Sequence, residues 1–118
     1  MQKAVPASGN GIEIGVGSGR FALPLNIKSG VEPSESMAVP ARKRGLNVIS
    51  AVAENLPIKN ESYDFVTMVT TVCFLNDIPK AFAEVNRILK HKGRTIISNW
   101  VYKFFILENI GWSQRKQY

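Results

Sequence analysis

At 118 residues, 45% hydrophobic and 20% charged, the chain has one domain's length and the make-up of an ordinary soluble globular protein, which excludes disorder and low complexity. A single cysteine, Cys73, excludes an internal disulfide, and one histidine leaves too few partners for structural zinc, so no metal is expected. The net charge of +6 is spread over the chain apart from "ARKRG" and "QRKQ", a pattern of solvated faces without the basic stripe that nucleic acid needs.

The opening "MQKAVPASGN" has no apolar signal-peptide core, and Lys103 and Glu108 break the late apolar run, so a cytoplasmic chain with no membrane partner is expected.

In chain order, "GIEIG" is a short strand with Ile12 and Ile14 on one face, ended by glycines. "RFALPLN" predicts a brief helical crossover to a second strand in "IKSGVEPS" that ends at Glu32. Ser34 is placed to cap a helix through "ESMAVPARKR", with Gly45 as its stop and Pro40 expected to kink it or delay its start. "LNVISAV" is a third strand, and "YDFVTMVTTV" a fourth, apolar on both faces. Asp77 and Pro79 open a second helix with Ala81, Phe82, Val85, Ile88 and Leu89 at helical spacing, and Lys90, Lys92 and Gly93 close it. "RTIIS" is the fifth strand, and "NWVYKFFILENIGWSQRKQY" predicts an amphipathic helix with Trp100, Phe104, Leu107 and Trp112 on its apolar side.

Alternating strands and helices predict an α/β fold with a doubly wound, mainly parallel sheet that binds ligands at the carboxyl ends of its strands. Gly15, Gly17 and Gly19 fall at that end of the first strand, where residues without Cβ let a ligand rest against the backbone. A tight turn without ligand accounts for one or two of these glycines, less easily for three. The chain has no Gly-Lys pair, which removes a triphosphate-binding loop, and its third glycine comes one residue early for the dinucleotide pattern, with Arg20 in the expected place. An NAD-binding oxidoreductase is therefore the lesser alternative. Glu32, at the end of the adjacent strand, is placed to accept hydrogen bonds from both hydroxyls of a ribose; alone it would be an ordinary surface glutamate.

"IEIGVGSGR", "GVEPSESM", "AENLPIKNESYDFV" and "VNRILKHKGRTIIS", in this order, closely resemble the class I S-adenosylmethionine-dependent methyltransferases of the type 11 methyltransferase domain branch, over roughly residues 11–98. The resemblance implies a Rossmann-like sheet of strand order 3-2-1-4-5, S-adenosyl-L-methionine as cofactor and a small-molecule methyl acceptor. It also implies that Glu13 orients the glycine loop and the methionine amino group, and that Gly15, Gly17 and Gly19 pass beneath the methionine and ribose. Glu32 would hold the ribose hydroxyls, Pro33, Ser34 and Met37 the adenine side, Ala53 and Glu54 the ring, and Thr70 the methionine end through its backbone. Met37 reads equally as a core residue, Glu54 as a loop cap and Thr70 as a plain strand residue, while Cys73 and Phe74 read as buried packing and His91 as a solvated helix end. No residue is marked as a catalytic base.

Two departures stand out. Val52 occupies a position where many relatives carry an acidic residue for the adenine amino group. The usual C-terminal strand hairpin is not recognisable after Ser98. The division is thus a cofactor-binding core over residues 1–99 and a helix or tail over 100–118, the pattern of a truncated or rearranged product. A bare fifth strand is an apolar sheet edge, so self-association through it is expected unless the tail covers it. A non-catalytic remnant that binds cofactor or a second subunit is the other alternative.

Overall fold

The computed structural model describes residues 5–6, 8–69, 71–98 and 104–108. Its elements are strands β1 (Gly11–Ile14) and β2 (Ser29–Val31), helix α1 (Glu35–Lys43), strands β3 (Asn47–Ile49) and β4 (Tyr63–Val69), a 3-10 turn (Thr71–Phe74), helix α2 (Ile78–Ile88), and strands β5 (Leu89–Ser98) and β6 (Phe104–Glu108). They form one sheet in the order β3-β2-β1-β4-β5-β6. The first five strands are parallel, in the order 3-2-1-4-5, and β6 runs antiparallel to β5. This is the doubly wound, Rossmann-like arrangement with one strand added.

Both faces of the sheet are buried, which explains the unbroken apolar run of β4. Val66 and Met68 join Ile12, Ile14, Val31, Ala81, Val85 and Ile88 beneath α2. Phe65 points the other way, with Val16, Ala22, Ile27, Ala41, Leu46 and Ile96 beneath α1 and the preceding turns. At about 25 cal/mol per Å² of apolar area, these two clusters supply the main driving force for folding.

The local signals act as their chemistry dictates at α2. The Asp77 side chain accepts the N–H of Lys80 at 3.1 Å, and a proline stands in the first turn, where it lacks only a donor that has no partner there. At α1 the Ser34 side chain makes no cap bond; its hydroxyl is 3.0 Å from that of Ser36. Pro40 lies inside this helix, which starts at Glu35 nonetheless.

Helix α2 gives way to β5 at Leu89, ahead of Lys90, Lys92 and Gly93, so His91 lies in a strand and not at a helix end. Three further expectations need correction. "RFALPLN" forms consecutive turns, with Leu25 and Asn26 donating to the carbonyls of Ala22 and Leu23, and Asn26 in the left-handed region at φ 58° closes them. Pro24, without an N–H, is a poor residue for continuing a helix. The second correction is β4, which stops at Val69 rather than reaching Val72.

The third concerns the tail. Phe104–Glu108 is a strand paired along β5, from Ser98 opposite Phe104 to Arg94 opposite Glu108. The described part of the expected amphipathic helix is therefore extended, since a short apolar run follows whichever partner offers it hydrogen bonds. The β5 edge is paired, so on this side of the sheet the edge strand among the described residues is β6. Trp100 and Trp112 lie outside the described residues. Among the described residues, no helix is long and apolar enough to cross a membrane.

Candidate functional site

The carboxyl ends of β2, β1 and β4 open into a cavity of about 570 Å³. Ile14 and Gly15 form its floor after β1, and Glu32 and Pro33 one end after β2. Met37 from α1 and residues 51–54 form a wall, and Val69, Thr71 and residues 74–76 close the β4 side.

The glycine turn is built for close approach. Gly15 and Gly17 have left-handed backbones at φ 74° and 57°. A Cβ on Gly15 would stand 2.5 Å from the Thr71 hydroxyl oxygen, whereas one on Gly17 would meet only the Met37 methyl at 3.5 Å. Thr71 donates its hydroxyl to the Ile14 carbonyl at 2.9 Å, and this fold-back sets the β4 side of the site against β1.

Glu32 is only 8% exposed. One carboxylate oxygen accepts the Gly17 N–H at 2.9 Å and the other the Ser34 N–H at 3.0 Å. A carboxylate offers about four acceptor positions, so each oxygen keeps capacity toward the cavity after these bonds. A vicinal diol fits that remaining capacity, and the adjacent turn without Cβ atoms fits a flat or extended body passing over it. This pair of acceptor oxygens beside an open turn is thus suited to a nucleoside cofactor.

The other expected residues divide. Met37, Ala53 and Glu54 line the cavity, and Met37 is 45% exposed, so it is no core residue. Ser34 contributes its backbone to Glu32 rather than lining the cavity. Gly19 is also outside the lining; its φ is 86° and a Cβ there would collide with Leu46 at 2.3 Å, so packing explains it. Glu13 is 1% exposed and outside the lining too. It stands opposite Thr67 in the β1–β4 register and accepts the Thr67 hydroxyl at 3.2 Å, while burial pushes its carboxyl up to about 8. Thr70 lies outside the described residues.

Glu54 is a clasp. Its Oε2 accepts the backbone N–H groups of Asn76 at 2.8 Å and Asp77 at 3.1 Å, and the Asp77 bond foremost holds its carboxyl below the usual range. It thereby ties the 51–54 wall to the β4 side. A second staple comes from α2. Glu84 accepts the Leu56 N–H at 2.8 Å, and Arg87 donates to the carbonyls of Leu56 at 2.8 Å and Ile58 at 2.6 Å. In the "ARKRG" run, Arg44 donates to the Ser18 carbonyl at 3.0 Å and steadies the glycine turn, while Arg42 reaches Glu35 and the Val48 carbonyl. These basic residues are more than a solvated face.

Phe74 corrects an expectation outright. It is 76% exposed and lines the cavity, where buried packing was anticipated. Thr71, Leu75 and Asn76 also belong to the site without having been singled out. Their signal was present only in the polar ending of an apolar strand.

The sequence profile of the family described as "Methyltransferase domain" matches residues 12–97. The chain belongs to this family. An uncharacterised protein of Methanocaldococcus jannaschii is 46% identical over 97 residues, which are 82% of this chain and 47% of that one. Among solved structures, an S-adenosylmethionine-dependent methyltransferase of Thermotoga maritima is 57% identical with a TM-score of 0.78, covering 81% of this chain and 46% of its own. The YcgJ protein of Bacillus subtilis is 28% identical with a TM-score of 0.74, over 82% and 47%. The methyltransferase domain described here thus spans about half the length of the relatives it matches. Three of its four motifs fall inside the matched region and the fourth passes its end by one residue, Ser98, and the dinucleotide reading is left without support.

Proposed function

We propose that this chain binds S-adenosyl-L-methionine and takes part in methyl transfer to a small-molecule acceptor. The observation that carries the reading is the Glu32 carboxylate, anchored by Gly17 and Ser34 with acceptor capacity left toward the cavity. Family membership and the S-adenosylmethionine-dependent Thermotoga relative support the choice of cofactor.

In this reading Glu32 accepts the ribose hydroxyls, Pro33, Met37, Val52 and Ala53 border the adenine, and Gly15, Gly17 and Thr71 meet the methionine end. When bound, the cofactor supplies an electrophilic methyl group on a sulfonium whose departure needs no protonation. The chain's own part is alignment and exclusion of water, for which Ile14, Val31 and Val69 give apolar walls. Glu13 works at a distance, holding β1 to β4 through Thr67 beneath the turn. A base is required only for acceptors that must lose a proton before attack, and no lining side chain is committed to that role.

The Thermotoga relative is described as a "possible histamine N-methyltransferase", which makes histamine the first acceptor to assay. Isothermal titration with S-adenosylmethionine and S-adenosylhomocysteine, beside a Glu32→Ala variant, tests the reading. Binding that the variant loses is the expected result. No binding by the folded wild-type chain overturns it. Binding without turnover on any acceptor favours the alternative, a cofactor-binding remnant that serves a second subunit.

A further inference from the structure

Seven large hydrophobic side chains are notably exposed among the described residues, and three of them, Met37, Val52 and Phe74, line the cavity between β2 and β4. Phe74 is the most exposed of all. It sits on the β4 side, separated from Glu32 by β1 in the sheet order, so the two mark opposite ends of the crevice. Its neighbours in the lining are Thr71, Leu75 and Asn76, none of which carries a charge.

The charged groups of the cavity are already engaged. Glu32 holds Gly17 and Ser34, and Glu54 holds Asn76 and Asp77. The Phe74 end therefore offers a ring face, a leucine and an amide, beside the Glu54 carboxylate that holds Asn76; amines of equal charge meet that carboxylate alike, so discrimination among them falls to the ring. An aromatic ring left in water gains most from a second flat apolar surface laid against it.

We infer that Phe74 determines acceptor specificity, its exposed ring receiving an acceptor that carries a flat aromatic group next to the methyl-accepting atom. The inference rests on the proposed cofactor site and concerns the other end of the same crevice. The alternative it must beat is that the ring serves the cofactor itself.

The test uses chain saturated with S-adenosylhomocysteine and titrated with histamine, 2-phenylethylamine and n-hexylamine, in the wild type and in Phe74→Ala and Phe74→Tyr. The expected result is that the aromatic amines bind the wild type at least about fivefold more tightly than hexylamine, as one stacked ring contact warrants. Phe74→Ala abolishes that preference and Phe74→Tyr restores it, while S-adenosylhomocysteine affinity stays within roughly twofold in both variants. Absence of an aromatic preference in the wild type, or a preference that survives Phe74→Ala, overturns the inference. So does a loss of about tenfold or more in S-adenosylhomocysteine affinity on Phe74→Ala, which assigns the ring to the cofactor. Failure of the wild type to bind S-adenosylhomocysteine at all is a different result and overturns the proposed function beneath it.

Discussion

Glu32 accepts the backbone N–H of Gly17 at 2.9 Å across the gap between β2 and β1, so the residue proposed to hold the ribose also holds the turn on which the cofactor rests. Glu32→Gln separates these tasks from mere loss of a side chain. An amide has one acceptor oxygen, so its NH2 must face either Gly17 N–H or Ser34 N–H. Hydrogen bonds to a charged group contribute about 1.5–3 kcal/mol, so cofactor affinity is expected to fall by at least roughly tenfold. Titration calorimetry checks this, and an unchanged affinity removes Glu32 from the site.

Gly17 and Gly19 are alike in sequence and unlike in what surrounds them. Gly17→Ala directs a methyl at ordinary distance toward Met37 and the cavity, at a left-handed cost of about 1–2 kcal/mol. Gly19→Ala bears the same backbone cost and pushes into Leu46, so roughly 2–3 kcal/mol of stability is expected to go. Urea unfolding and cofactor titration on both variants should show Gly17→Ala losing more affinity and Gly19→Ala more stability. The reverse ranking would place Gly19, not Gly17, against the ligand.

Val52 invites a gain. It lines the cavity and is 45% exposed, so an aspartate there keeps access to water while it faces the space assigned to adenine. One recovered hydrogen bond is worth about 1 kcal/mol, so Val52→Asp is expected to tighten cofactor binding about fivefold. Weaker binding by a stably folded variant would mean that the adenine does not lie beside this wall.

Glu13 makes stability depend on pH. Burial raises its carboxyl to about 8 from an ordinary 4.5, although the Thr67 hydrogen bond pulls it down. Between those values the folded chain keeps a proton that the unfolded chain releases. Stability therefore falls as pH rises through that window, by up to about 1.4 kcal/mol per pH unit, and levels off above it. Glu54, Asp64 and Glu84 lie on the other side. Asp77 N–H, Asn10 N–H and Arg87 respectively hold them below the usual range, so their contribution is lost only toward acid pH. The wild-type urea midpoint is expected to drop between roughly pH 5 and pH 8, and Glu13→Gln to flatten that slope. A midpoint that is level in the wild type counts against a protonated Glu13.

The parallel core was legible because its signals are local and repeated. β4 announces itself by continuous apolar residues, α2 by Asp77, Pro79 and its periodicity, and the turn and Glu32 by their places at two strand ends. Other features depend on partners far away in the chain. "FFILE" has no period that separates helix from strand, and the free side of β5 decides for strand. Thr71 leaves the sheet because the Ile14 carbonyl is there to accept its hydroxyl, and that turn carries Phe74 out into the cavity. Glu54 looked like an adenine neighbour or a loop cap; its partners, Asn76 and Asp77, are 22 and 23 residues away.

The antiparallel pairing of β5 with β6 has a consequence for the order of assembly. Ser98 meets Phe104 across a short connection, whereas the β1–β4 pairing must bring Gly11 to Phe65. Loop-closure entropy grows with the logarithm of the enclosed length, so the hairpin can close early and the junction of β2, β1 and β4 late. The crevice lies at that late junction. A ligand that fits this crevice can bind only after that junction has formed, so its binding free energy would be added to the assembled chain and would hold the last contacts closed.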